Sequence, residues 1–134
     1  MTFTPLPDAT QALITFLAAH ASLSPLHGGR VSTRLQEPAL PCLQVTALGG
    51  PQPWPWESAP EFQLASWGGT SDAGEGEAWA LDLAVRAAVF DLLGTDITGG
   101  HVNGVAIRLA GLWSPADDTG RARVRSDISI TVMP

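Results

Sequence analysis

No lysine and no tyrosine occur anywhere in the 134 residues, and cysteine occurs once. A single Cys42 excludes an intrachain disulfide, so an apolar core has to hold the fold; in its apolar run the thiol reads as an inert packing residue, and a reducing cytoplasm as the default compartment. The basic residues are seven arginines against thirteen acids, a formal net charge of −6. Phosphate backbones attract clustered positive charge, so this balance argues against a dedicated nucleic-acid binder. Missing lysine beside abundant alanine, glycine and arginine fits a GC-rich coding bias. No apolar run approaches the ~20 residues that span a bilayer. Residues 12–21 have the length of a signal core, but no basic segment precedes them and Thr15 and His20 interrupt them, so they read as a helix.

The motifs of catalysis are also missing. The glycine pairs at 28, 49, 68 and 99 lack the framing of a phosphate loop, and there is no G-x-S-x-G elbow. His20, His27 and His101 do not have metal-ligand spacing. Asp117 and Asp118, with Thr119, are a weak cation candidate before Gly120 and read first as turn formers. The expectation is no catalytic residue, no metal and no cofactor. A small α+β ligand-binding or hydrolytic domain using the loops around Asp117 and His101 is the rival from another class.

What the chain does contain is organised around residues 71–94. Ala78, Leu81, Val85, Ala88, Val89 and Leu92 recur at three- and four-residue spacings and form one stripe of a helix. Ser71 and Asp72 suit its N-cap, Glu75 and Glu77 its first turn, and Gly94 its end; Gly74 and Gly76 weaken the opening, which places regular helix from near Glu77. Trp79, Leu83 and Phe90 form a second apolar stripe, divided from the first by Asp82 and Arg86, which are one turn apart and able to pair. A helix that is apolar on two sides has two packing partners. The second is either the N-terminal helix or a neighbouring subunit.

Asp8 and Gln11 predict a capping box opening a helix that runs to about Leu23, with residues 24–29 ending it. Residues 30–35 and 42–48 read as antiparallel neighbouring strands, 61–67 as a third, and 102–113 as a fourth, with Gly104 marking a bulge and His101, Asn103, Val105, Ile107 and Leu109 on one face. Residues 49–60, rich in proline and glycine, carry Trp54 and Trp56 as either docking residues or a lid on the core. The last strand alternates Ala122, Val124, Ser126, Ile128, Ile130 and Val132 against Arg121, Arg123, Arg125, Asp127, Ser129 and Thr131. The three arginines read as a solvated face or as an edge that meets an acidic partner. The order predicts one domain over residues 1–134, of α+β class: a mainly antiparallel four- to five-stranded sheet with two helices packed on one face.

Three stretches carry a resemblance that covers nearly the whole chain. They are Arg30-Val31-Ser32-Thr33-Arg34, then residues 61–68 (EFQLASWG) leading into the alanine-rich helix, then residues 113–123 (WSPADDTGRAR) leading into the last strand. In that order and at this length the sequence resembles the tail terminator, or tail completion, proteins of long-tailed, siphovirus-type bacteriophages. It departs from them at Val124, where an aromatic often follows the T-G-x-x-R pattern, and in the Pro/Trp loop of residues 49–60.

The resemblance implies a non-enzymatic virion protein that forms a hexameric ring with itself. Such a ring caps the tail tube, stops addition of tube protein and offers the joining surface to a head-side neck or stopper protein. It implies no cofactor, no membrane and no specific nucleic-acid recognition, and a place at the head-proximal end of the tail after assembly in the host cytoplasm. If DNA passes through the ring, acidic residues along the channel would repel it and keep it mobile. A head-side neck or head-completion connector is the alternative among assembly proteins. The residues expected at subunit or partner contacts are Trp79, Leu83, Phe90, Trp54, Trp56, Arg121, Arg123 and Arg125.

Overall fold

The computed structural model describes residues 2–35, 40–116 and 119–134. In chain order it has α1 (Ala9–Ala19), α2 (Ser24–His27), β1 (Val31–Ser32), β2 (Cys42–Gly49), β3 (Glu61–Trp67), α3 (Gly74–Ala88) continued by a 3-10 turn (Val89–Leu92), β4 (Asp96–Ile97), β5 (Gly100–Trp113) and β6 (Arg123–Met133). The class is α+β, as the order of elements predicts. Among the described residues the sheet has six strands in the order β1-β2-β3-β6-β5-β4, not four or five, and there are three helices, not two. The unforeseen strand is β4, two residues long and too short to show a period, and the strand expected over residues 30–35 shortens to the two residues of β1.

Alternation sets the two faces. Leu43 and Val45 of β2, Phe62 and Leu64 of β3, and Ile128, Ile130 and Val132 of β6 are buried against Leu13 and Leu17 of α1 and Leu81, Val85 and Ala88 of α3. The whole predicted core stripe of α3, including Val89 and Leu92, is buried. At ~25 cal/mol per Å² of apolar area removed from water, this one layer is the main source of stability.

The caps differ from expectation. Asp8 does cap α1, its Oδ1 accepting the Gln11 N–H at 3.0 Å, but the Gln11 side chain donates to Thr15 instead of reaching back. The helix stops at Ala19, because His20 leaves helical geometry and its carbonyl takes the N–H groups of Leu23 and Ser24; Pro25 then opens α2. At α3 neither Ser71 nor Asp72 caps, and the helix starts at Gly74, before Glu77. The Glu77 carboxylate instead accepts the Gly69 N–H at 3.1 Å.

β1 pairs parallel to β2, not antiparallel. A parallel pair ordinarily needs a long crossover, but here only Val31 and Ser32 pair, so the chain has little distance to recover. Pro38 lies outside the described residues. β5 pairs antiparallel with β6, and its register shifts between Val102 and Gly104 as foreseen, and again after Ile107. The first shift puts Val102, Val105 and Ile107 opposite Val132, Ile130 and Ile128, on the helix side, while His101 and Gly104 face the other way. The expected common face of His101, Asn103, Val105, Ile107 and Leu109 therefore does not form.

His27 is a titratable group fully buried in this layer. His27 Nδ1 accepts the Gly29 N–H at 2.9 Å and Nε2 donates to the Leu17 carbonyl at 2.9 Å, an arrangement only the neutral ring can make. Burial pushes its pKa below the ordinary histidine value, and nearby Arg30 pushes it the same way. The unfolded chain therefore takes up this proton first as pH falls, so His27 favours folding above about pH 6.5 and that contribution is lost on acidification below it. Urea unfolding should show lower stability at about pH 5 than at about pH 7, with this group contributing to the loss. His27→Gln should flatten that part of the slope; an unchanged slope in the variant would place the acid sensitivity elsewhere.

Candidate assembly surfaces

α3 carries a line of side chains one to three turns apart, Trp79, Leu83, Arg86 and Phe90, away from the buried stripe. Leu83 and Phe90 are 59% and 50% exposed, with no described element over them. Neither is met by α1, which packs over β1 and β2 instead; the tie from its C-terminal end to this region is His20 Nε2 to Asp91 at 2.8 Å. Trp79 differs from the other two. It is half-buried and stacks on Trp113 of β5, ring centroids 6.4 Å apart. The stripe thus lies on the β5 side of the helix layer.

Beneath it sits a polar group that the sequence does not reveal. Asp82, read as a divider between the two stripes, is fully buried. Its Oδ2 accepts from Arg86 Nε at 2.8 Å, the foreseen pair, and its Oδ1 accepts from the Ser126 hydroxyl at 2.6 Å. The Ser126 oxygen in turn accepts the Gly111 N–H at 2.9 Å. Gly111, at φ +68°, a backbone conformation that side chains rarely adopt, brings its backbone close against Arg86, Trp79 and Asp82. The network fixes α3 to β5 and β6 and orients the Arg86 guanidinium along the exposed line.

At the other end of the sheet, Trp54 and Trp56 are 53% and 48% exposed and stack nearly parallel, centroids 5.5 Å apart, with Phe3 6.4 Å beyond Trp56. They are not a lid. The loop is held by the Ser58 to Val132 bridge, whereas Trp113 pairs with Val124. Eight residues of β6 separate those anchors, roughly 27 Å. The two tryptophan pairs therefore belong to opposite ends of the molecule.

Arg121, which precedes β6, and Arg123 and Arg125 within it are not a solvated face. Arg121 and Arg123 lie over the buried Trp67 ring at 5.3 and 5.1 Å. Arg121 donates to the carbonyls of Gly68 and Leu40, Arg123 to Ser114, and Arg125 makes two bonds to Asp127. All three are half-buried and have partners in their own chain.

Among the described residues no three His, Cys, Asp or Glu side chains gather as metal ligands. His101 is paired with Asp96 at 2.9 Å on the surface, and Asp117 and Asp118 lie outside the described residues. A groove of about 770 Å³ between α1 and residues 92–98 is lined by Asp8, already a helix cap, Thr15, Phe16 and Asp96. Of its threonine hydroxyls, Thr15 accepts from Gln11 and Thr95 donates to the Leu92 carbonyl, so neither is bonded to a carboxylate.

No protein-family model matches the chain, and no curated protein matches it in sequence. Among solved structures, a chain from the virion of a native gene transfer agent particle superposes with a TM-score of 0.67. The alignment spans 94% of this chain and 95% of that one, at 19% identity. The two share a fold from end to end.

Proposed function

We propose that this chain is a structural virion protein that caps a phage tail tube as a ring, ends tube polymerisation and offers the head-joining surface. The observation that carries this reading is the fold shared over nearly the whole length with a chain of a virion particle. The order of motifs that resembles tail terminators supports it, as does an exposed apolar line, Leu83 and Phe90, on a protein of net charge −6 that needs a neutral place to self-associate. In this reading Leu83 and Phe90 meet the neighbouring subunit, and Trp54, Trp56 and Phe3 meet the tube or the neck protein at one end of the ring.

Electron microscopy of a lysate in which the gene is disrupted tests it. Overlong tubes beside unattached full heads are expected. Tails of uniform normal length beside tailless heads would move the protein to the head side of the joint, and normal virions would overturn both assembly readings. At the residue level, Phe90→Asp should leave a folded protomer that no longer assembles, because an exposed site tolerates charge and a subunit contact does not. Loss of the folded circular-dichroism signal would place Phe90 in the protomer's own core.

A further inference from the structure

The sheet ends in two incompletely covered edges. On β5, β4 pairs only with Gly100 and His101. Val102 turns its N–H and carbonyl outward, to Thr95 and Gly94, so by strand alternation Val105 and Ile107 also turn theirs outward, where no described strand pairs with them. On β2, β1 pairing ends at Gln44. Leu43 points outward to Arg30, and the same alternation turns Ala47 outward, beyond β1. Register irregularities bracket both stretches: Gly104 to Ile107 pair regularly with β6 between shifts on either side, and β2 shifts only after Ala47.

We infer that the subunit contact of the ring is formed by adding the free edge of β2 from one copy to the free edge of β5 of the next. This rests on the reading of the chain as a ring former and names the surfaces that close the ring. Three steps between β2, β3, β6 and β5 are each antiparallel, so β2 and β5 run in opposite directions. Copies related by rotation about an axis along the strands therefore bring β5 against a neighbouring β2 in antiparallel sense. Val45, Ala47, Val105 and Ile107 all lie on the helix side of their strands, so the faces match and the helix layers stay together.

Charge selects a second copy as the occupant. No charged residue lies between Glu37 and Glu57, and no acid between Asp96 and Asp117. The two edges are thus where protomers of net charge −6 can meet without acid against acid. The free stretch of β2 beyond its pairing with β1, residues 46–49, is roughly 13 Å long and matches the length of the regular stretch Gly104 to Ile107. The exposed Leu83 and Phe90 add apolar area from the helix layer on the β5 side. The contact joins unlike surfaces, so it propagates from copy to copy and closes into a ring where the rotation between copies allows, instead of stopping at an isolated dimer.

The test uses two variants of the full chain, each blunting one edge. Ala47→Pro removes an outward N–H that makes no ladder bond, and Val105→Lys places a charge on the β5 edge, as natural edge strands do. Sedimentation at millimolar concentration should give rings for the wild type and folded monomers for each variant alone. An equimolar mixture should give heterodimers, since one β2–β5 junction remains intact. If Val105→Lys does not fold, Arg108→Glu beside the same stretch replaces it. Assembly of either variant like the wild type, or a mixture that stays monomeric while the wild type forms rings, overturns the edge contact and leaves the terminator reading standing. A wild type that stays monomeric overturns the contact too, whereas failure of the terminator reading shows separately, as normal virions in the gene-disrupted lysate.

Discussion

Asp82→Ala should lower the free energy of unfolding by roughly 3 kcal/mol, near the bottom of the ~3–5 kcal/mol seen when one partner of a buried ion pair is removed. The lower end applies because the Arg86 side chain is 24% exposed and can turn to water, whereas the buried Ser126 hydroxyl loses its only acceptor. Asp82→Asn keeps an acceptor for Ser126 and should recover about half of the loss. Urea midpoints followed by circular dichroism measure both. A change under ~1 kcal/mol for the alanine variant would mean that the Gly111–Ser126–Asp82–Arg86 chain is incidental to the joining of α3 and the sheet.

Gly68→Ala should be as damaging for a different reason. Gly68 follows β3, donates its N–H to the Ala122 carbonyl at 3.0 Å, and faces the backbone of Gly74, where α3 begins. A methyl group here would fall inside contact distance of the Gly74 carbonyl, and Gly74 is similarly crowded by Gly69. Backbone cannot swing away as a long side chain can, so a loss of about 3 kcal/mol or more is expected. Gly76 gives the control. A Cβ there meets nothing within 4 Å, and it sits inside the helix, so Gly76→Ala should stabilise by ~0.5–1 kcal/mol. Melting of the pair checks the contrast, and equal effects would refute the close-approach account.

These two sites show which parts of the molecule were legible in its sequence. Periodicity located the core face of α3 and the buried side of β6, because both are fixed by neighbours a few residues away. It also located Leu83 and Phe90. It misassigned Asp82, whose second partner is Ser126 on another strand, and it turned Arg121 and Arg123 outward, although their partners at Trp67, Gly68 and Leu40 are remote in the chain. The glycine pair at 68 was legible only as one that lacks the framing of a phosphate loop. Its purpose, two backbones in contact, was not. β4 left no pattern at two residues, the alternation over residues 30–35 overran the two residues that pair, and the parallel sense of β1 follows from a connection that periodicity does not describe.

Because the chain has five tryptophans and no tyrosine, its near-ultraviolet emission comes from indole alone. The exposed Trp54 and Trp56 lie almost parallel at an angle of 6°, whereas half-buried Trp79 stacks with Trp113 at 15° on the far end. Each end of the protein therefore has its own optical reporter. A partner that docks on the Pro/Trp loop would perturb the first pair and spare the second, while closure of the ring along β5 would do the reverse, so the sequence of joining events could be followed in unlabelled protein.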